Sequence, residues 1–429
     1  MLAMPLTGWL ADRIGSRRLF MASVGGFVLA SMLCGMAQNV VQMVIFRALQ
    51  GATGAFISPL AQSVMIDTNK PSRQAQVIAL WAMGIMIGPI LGPILGGWLT
   101  ENWNWRLVFY INVPLGAIAL AIMAAELPSR PIVSRRFDLA GYAMVAVALT
   151  CLQLLLDRGN HVDWFDSAET WIYVALTLSA TWVGAIHLAT ADDPLFNRAL
   201  FADPSYFFAL VFSAVVGVVT FATMALLPPM LQHLFGYGVL DTGMAMMPRG
   251  IGTLISMQLS GWLLRKQVDP RLMLLVGFLL GAASLDMMSG WSLETDYGMV
   301  ASSGFVQGLG FGLVFIPLNA TAFASLPAPL RTDGASLLNL SRSIGSSVGI
   351  SVVTTLLSRN LQVAHADLAS HVTTSATTLI DLSALDRFQV VGDAAPGQKG
   401  TRVTFLASTD TFKNVTEFDF DKLEHRYRE

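Results

Sequence analysis

Long apolar runs separated by short polar breaks recur along almost the whole chain. A bilayer core of ~30 Å needs roughly 20 apolar residues as α-helix. On that rule the pattern predicts eleven spanning helices, near 19–37, 40–66, 76–99, 107–125, 138–156, 170–189, 206–230, 243–264, 272–290, 298–324 and 335–357. Residues 1–10 would add only ~15 Å of helix, half a crossing, so the chain is read as starting inside a partial first helix. Residues 1–357 are thus read as a transmembrane region and 358–429 as an extramembrane tail. After Ala395 the tail turns to Pro396-Gly397 and a charged stretch, so 396–429 is expected to be soluble or disordered. The expected class is an all-α polytopic membrane protein.

Charge in the breaks alternates. One set holds Arg13, Arg17, Arg18, Lys70, Arg73, Arg130, Arg135, Arg136, Arg198, Arg265, Lys266, Arg271 and Arg331; the other holds Arg106, Arg158 and Arg359. The basic set is assigned to the cytoplasm, and one missed helix would scramble the alternation. Composition agrees: 54% of residues are hydrophobic and 13% charged, with a mean hydropathy of +0.59. That is too apolar for a soluble domain of this length. The net charge of -2 comes with no long basic block, so nucleic acid is not an expected partner. Cys34 and Cys151 lie inside apolar runs and are read as packing residues, with no metal site expected. No cleavable signal peptide is evident. The chain lacks GxxxxGK[ST] and HExxH motifs, and its one GxSxG match, Gly345 to Gly349, falls inside the span read at 335–357, so no cofactor and no catalytic residues are expected. Gly308 to Gly312 is glycine-rich within a span and is read as packing.

The first basic break runs from Gly8 to Phe20 and packs Asp12, Arg13, Arg17 and Arg18 into one short turn. Gly8 and Gly15 allow close helix approach and a tight reversal. Asp12 can pair with a neighbouring arginine or cap the next helix. An ordinary positive-inside loop would also carry such charge. The run resembles the signature turn of major facilitator superfamily transporters, G-x-L-A-D-R-x-G-R-[KR]-x-x-[LI], departing from it only at Ser16. The resemblance implies a fold of two helical bundles, with Gly8, Asp12, Arg13, Gly15, Arg17 and Arg18 as a cytoplasmic-loop gating motif. A fainter echo, Gly261-Trp262-Leu263 followed by Arg265 and Lys266, fits a two-repeat architecture.

Several spans carry polar or small residues in patterns. In 76–99, Gly84, Gly88, Gly92 and Gly96 recur every fourth residue, with Pro89 and Pro93 beside them. They form one bare stripe on a helix, suited to close packing. The stripe also resembles the superfamily's antiporter motif, G-x-x-x-G-P-x-x-G-G, which implies export. In 40–66, Arg47 lies at depth, followed by Gln50, Gly51, Gly54 and Ser58 on the same side. A charge there is expected to face the bundle interior or water. Arg47-Ala48-Leu49-Gln50-Gly51 resembles the family's R-x-x-Q-G motif, whose arginine is linked to proton transfer; a purely structural arginine is the alternative. Asp286, Arg249 and Arg342 are further coupling candidates, Asp286 as the best remaining membrane carboxylate. Asp157 and Arg158 are read as an interfacial pair, and His187 as interfacial.

Met246-Met247-Pro248-Arg249-Gly250 and Leu227-Pro228-Pro229 resemble the 14-span drug:proton antiporters, the EmrB/QacA-like branch, over residues 1–395. Phe207, Phe208, Phe212, Phe221, Met224, Met230, Met244, Met246 and Met247 offer an adaptable apolar surface for drugs, or simply face lipid. The resemblance implies a multidrug efflux protein of the bacterial inner membrane, energised by the proton gradient. Its implied partners are hydrophobic drugs, protons, the lipid bilayer, a periplasmic adaptor and an outer-membrane channel. An uptake or metabolite carrier of the same superfamily and a truncated non-transporting remnant are the alternatives. The family's first-span aspartate motif has no equivalent here, so this polypeptide alone is expected to confer little resistance.

Overall fold

The computed structural model describes residues 1–128, 132, 136–162, 164–292, 295–324 and 326–371. The tail beyond 371, Arg130, Arg135 and the side chain of Pro89 lie outside the described residues. Every regular element among the described residues is helical. In chain order these are α1 (Thr7–Ile14), α2 (Ser16–Met36), α3 (Val40–Gly54), α4 (Ile57–Thr68), α5 (Pro71–Asn102), α6 (Leu107–Tyr110), α7 (Asn112–Glu126) and α8 (Leu139–Arg158). They continue as α9 (Ala168–Thr190), α10 (Ala199–Ala202), α11 (Pro204–His233), α12 (Val239–Arg265), α13 (Pro270–Ser289), α14 (Tyr297–Ala324) and α15 (Arg331–His371). Nine helices or collinear helix pairs among the described residues are long and apolar enough to cross a membrane. α5 and α12 are long enough as well, at 32 and 27 residues, or ~48 and ~40 Å.

The helix starts follow from the sequence. Asn39, Asp138, Ser167, Asp203 and Asp269 each accept a backbone N–H from the first turn that follows. Pro71, Pro204 and Pro270 open their helices, where a missing N–H costs nothing. The run read as one span at 40–66 divides between α3 and α4. Pro59 has no N–H to offer the carbonyl of Ala55, so the ladder breaks one turn upstream. Pro114 stands in the same relation to the turn at Ile111, between α6 and α7.

The chain divides into two compact units, Met1–Thr355 and Leu356–Glu429. Of the second, residues 356–371 are described, as helix. Within the first unit, α2 packs against α1, α3, α4, α6 and α7, while α14 packs against α11, α12 and α13. α5 joins the two bundles through α12 and α14, and α8 pairs with α9. The main core lies where α5, α11, α14 and α15 meet, around Tyr206, Phe315, Phe323, Ile316 and Leu338. Association in lipid needs close backbones and satisfied hydroxyls rather than apolar surface. The seam between α12 and α14 meets both needs. A Cβ on Gly308 would overlap the Arg249 carbonyl, and Ser256 and Ser260 donate across the seam to the carbonyls of Gly308 and Gly312 at 3.1 and 3.0 Å.

Candidate functional site

Arg249 sits ~15 Å along α12 from Val239 and ~24 Å from Arg265, at mid-depth. Pro248 precedes it and has no N–H for the carbonyl of Met244; the Tyr297 hydroxyl donates to that carbonyl at 3.1 Å. The Arg249 guanidinium donates from Nη2 to the Thr220 carbonyl of α11 at 3.3 Å, while Nη1 is buried without a protein partner. Arg342, ~16 Å into α15 from Arg331, lies with its guanidinium carbon 4.5 Å from the Phe315 ring centroid. Its Nε is likewise buried and unpartnered.

Both arginines line one cleft of about 190 Å³ between α5, α11, α12, α14 and α15, whose walls are otherwise mostly apolar. An adjoining cavity of about 240 Å³ shares Thr220, Arg249 and Phe311 with it and adds Gln307. Gln307 is only 4% exposed, and both its amide atoms lack a protein partner. Of the methionines and phenylalanines expected to form a binding surface, Phe221, Met224 and Met246 line the cleft. Phe207, Phe208, Phe212 and Met244 are exposed on outward helix faces.

Beneath the cleft, at the end carrying the basic turns, a polar latch ties α4 to α14 and α15. Gln62 Nε2 donates to Asn319 Oδ1 at 2.7 Å, and Asn339 Nδ2 donates to Gln62 Oε1 at 3.1 Å. Ser58 donates to Asn339 Oδ1 at 3.1 Å, Ser63 and Thr332 share a hydrogen bond of 2.8 Å, and Arg331 pairs with Asp67 at 2.9 Å. Gln62, Ser63 and Asn319 are each 1% exposed, so the latch is dry as well as bonded. Of these residues, only Ser58 and Arg331 stand out in the sequence. The spacing Ser58, Gln62, Asp67 within an apolar run was the available signal, since it sets polar groups along one side of α4.

The gating-motif residues lie at the same end. Gly15 takes φ +89, a left-handed conformation that lets α1 reverse into α2 in a single residue. The Asp333 carboxylate, in the first turn of α15, occupies the space that a Cβ on Gly8 would need. Arg17 donates to the Ala124 carbonyl in the last turn of α7 at 2.6 Å. Arg13 lies over the Trp9 ring at 5.0 Å, Arg18 is exposed, and Asp12 is half-buried in α1.

Other candidates stand apart from the cleft. Arg47 is exposed, donates to Gln50 Oε1 at 2.9 Å, and lies 5.8 Å from the Phe109 ring centroid. Gln50 itself is buried, and a Cβ on Gly51 would meet nothing within 4 Å. Asp286 is exposed on α13 and does not line the cleft. A Cβ on Gly84, Gly88, Gly92 or Gly96 would also meet nothing within 4 Å. In this conformation the stripe therefore makes no close seam among the described residues; on α5 the tight position is Gly97, against Val239. The pair expected between Asp157 and Arg158 does not form, because adjacent helical residues point ~100° apart. Arg158 bonds Glu169 at 2.6 Å and Asp157 accepts from Gln153 at 2.9 Å. His187 is more than interfacial: its Nε2 lies 2.9 Å from Asp138 Oδ1. Burial raises the Asp138 carboxyl pKa, but hydrogen bonds from the Gly141 N–H, His187 and the Leu195 N–H outweigh it and hold it below the ordinary value.

Comparison with known proteins gives a family match, two relatives and two solved structures. The family model described as Major Facilitator Superfamily matches residues 1–350. Fatty acid resistance protein FarB of Neisseria gonorrhoeae is 34% identical over 389 residues, 89% of this chain and 76% of that protein. Multidrug export protein EmrB of Escherichia coli K12 is 31% identical over 375 residues, covering 86% and 73%. Among solved structures, the human organic anion transporter MFSD10 superposes with a TM-score of 0.58 at 16% identity, covering 83% of this chain and 74% of its own. The proton:xylose symporter XylE gives 0.55 at 14% identity, covering 85% and 78%.

Proposed function

From the premise that this chain belongs to the Major Facilitator Superfamily, we propose that it exports hydrophobic small molecules across the bacterial inner membrane in exchange for protons. The observation that carries the reading is the mid-depth apolar cleft lying above a dry interbundle latch. Such a pair is what alternating access requires: a site between two bundles and a bonded closure that one state makes and the other breaks. The relatives named for multidrug export and fatty acid resistance support export over uptake. On this reading the latched end is cytoplasmic, in line with its basic turns.

The signature turn then acts as part of the gate, since Gly8 seats α1 on the first turn of α15 beside Arg331 and Thr332. The glycine stripe of α5, open here, is proposed to close against a neighbour in the alternate state. Arg47 with Gln50, and Asp286, are the proposed groups for proton coupling. A periplasmic adaptor and an outer-membrane channel are proposed partners. The test is drug accumulation in cells lacking their own exporters, with and without a proton uncoupler. Uncoupler-sensitive exclusion of a hydrophobic dye is expected on this reading, in place of the small resistance expected from the missing aspartate motif; accumulation above the empty-vector level would mean uptake, and no change from that level would refute the reading.

A further inference from the structure

The α8–α9 hairpin meets its neighbours through two kinds of contact. Along its outer half it is bonded to α15: Ser347 donates to Gln153 Oε1 and Ser351 to the Leu156 carbonyl, each at 2.9 Å. That stretch of α15 is itself fixed to α11, since a Cβ on Gly345 or Gly349 would overlap the Ala214 or Val218 carbonyl. At the cytoplasmic end the Asp138 carboxylate caps α8, lies 2.9 Å from His187 Nε2 of α9 and accepts the Leu195 N–H at 3.0 Å. Leu195 and Phe196 are buried in the main core, and their segment leads through α10 into α11. A cavity of about 290 Å³ separates the hairpin from Leu337, Leu340 and Ile344 of α15, and these bonds hold the hairpin on either side of it. Against α1 the contact is aromatic. Phe137, just before the cap, lies with its ring centroid 4.5 Å from that of Trp9 and 5.8 Å from that of Tyr142. Tyr142 adds a long hydrogen bond, 3.4 Å, to the Leu2 carbonyl.

We infer that the α8–α9 hairpin travels with the bundle of α11, α14 and α15, and that its cytoplasmic end shuts onto α1 through Phe137 and Trp9, a closure separate from the latch. The motion rests on the alternating-access reading, whereas the bundle the hairpin follows is given by its bonds. Pulling α8 from α15 would leave Ser347, Ser351 and Gln153 short of partners at bilayer depth, which is costly. Parting Phe137 from Trp9 strands no buried polar group, so that face can open and reclose. Trp9 also carries the Arg13 guanidinium over its ring at 5.0 Å, so the closure ends on the signature turn itself. Asp138 acts as a positioning residue here, because its bonds to α8, α9 and the following segment fix the chain next to Phe137.

Two bridges with opposite expected outcomes test this in the full chain, in a Cys34→Ala, Cys151→Ala background. Trp9→Cys/Phe137→Cys and Gln153→Cys/Ser347→Cys are each joined by a bifunctional thiosulfonate in proteoliposomes with an imposed pH gradient. The first bridge should stop dye transport until a reductant cuts it; the second should leave the unbridged rate. Transport that continues across a complete first bridge would overturn the closure, and transport lost with the second would overturn the assignment of the hairpin. Spin-label distances decide the same question in a chain that moves no dye. Thr190→Cys, exposed at the end of α9, should keep one distance to Lys266→Cys in Asn339→Ala while its distance to Arg18→Cys lengthens. Phe137→Ala should raise the longer Arg18–Lys266 population ~2–10-fold, the scale of one aromatic pair. A lengthened Thr190–Lys266 distance, or an unchanged Thr190–Arg18 distance, would overturn the inference. The expected distances without any dye transport would leave it standing and refute the export reading; uncoupler-sensitive efflux with the two bridges acting in the opposite sense would do the reverse.

Discussion

Replacing Asn339 with alanine should loosen the latch by a predictable amount. Asn339 accepts from Ser58 at 3.1 Å and donates to Gln62 at 3.1 Å, and it is 7% exposed. Its second donor bond goes to Ala335 within its own helix, at 2.8 Å, and holds the amide in place. The substitution removes two interhelical hydrogen bonds that exist only while α4 meets α15. Interhelical bonds in membranes average ~0.6 kcal/mol and reach ~1.7, so the pair contributes about 1–3 kcal/mol to the latched state. That corresponds to a ~5–150-fold shift toward the unlatched state. Spin labels at Arg18→Cys and Lys266→Cys, both exposed on basic turns of different bundles, report the separation in a Cys34→Ala, Cys151→Ala background. Pulsed dipolar spectroscopy should show a new, longer distance population in Asn339→Ala. Ser346→Ala is the control, since that hydroxyl bonds Ser343 of its own helix at 2.8 Å. An unchanged distance distribution in folded Asn339→Ala would refute the assignment of these residues as a gate.

Other consequences can be checked in the same preparations. Gly8→Leu should clash with the Asp333 carboxylate and lower stability by ~1–3 kcal/mol, read as a drop in melting temperature, whereas Gly92→Leu should leave stability within ~0.5 kcal/mol while transport falls if the stripe closes in another state. Asp138→Ala removes the cap of α8 and the partner of His187, and should cost ~1–2 kcal/mol above pH 5. Because that carboxyl is held below its ordinary value of 3.8, its contribution is present above that pH and fades as pH falls through the lower folded value, so the two melting curves should converge in acid. Thiol reagents added from the cytoplasmic side alone should label Arg18→Cys and Lys266→Cys; labelling from the opposite side would reverse the topology.

The helical class was legible because apolar runs of ~20 residues have only one open solution in lipid, a helix that satisfies its own backbone. The breaks after Gly54 and at Ile111 were not, because Pro59 and Pro114 look no different in the sequence from Pro228 and Pro248, which their helices accommodate. Arg249 and Arg342 each stood out as charges in apolar runs, but their shared cleft depends on α12 and α15 meeting the same space. The latch was hidden for a related reason. Gln62 and Asn339 are 277 residues apart, and single amides inside spans carry no mark of which helix they will meet. Arg47 is expected from its depth to face the bundle interior or water, and depth along a helix does not fix which face it presents.

Alternating access through this latch is the central claim, and one cross-link tests it. Ser63 and Thr332 hydroxyls lie 2.8 Å apart, so Ser63→Cys/Thr332→Cys in the background without Cys34 and Cys151 places two thiols within bonding reach. In proteoliposomes with an imposed pH gradient, oxidation should abolish dye transport and a reductant should restore it. Transport that continues undiminished with the disulfide quantitatively formed would contradict the account.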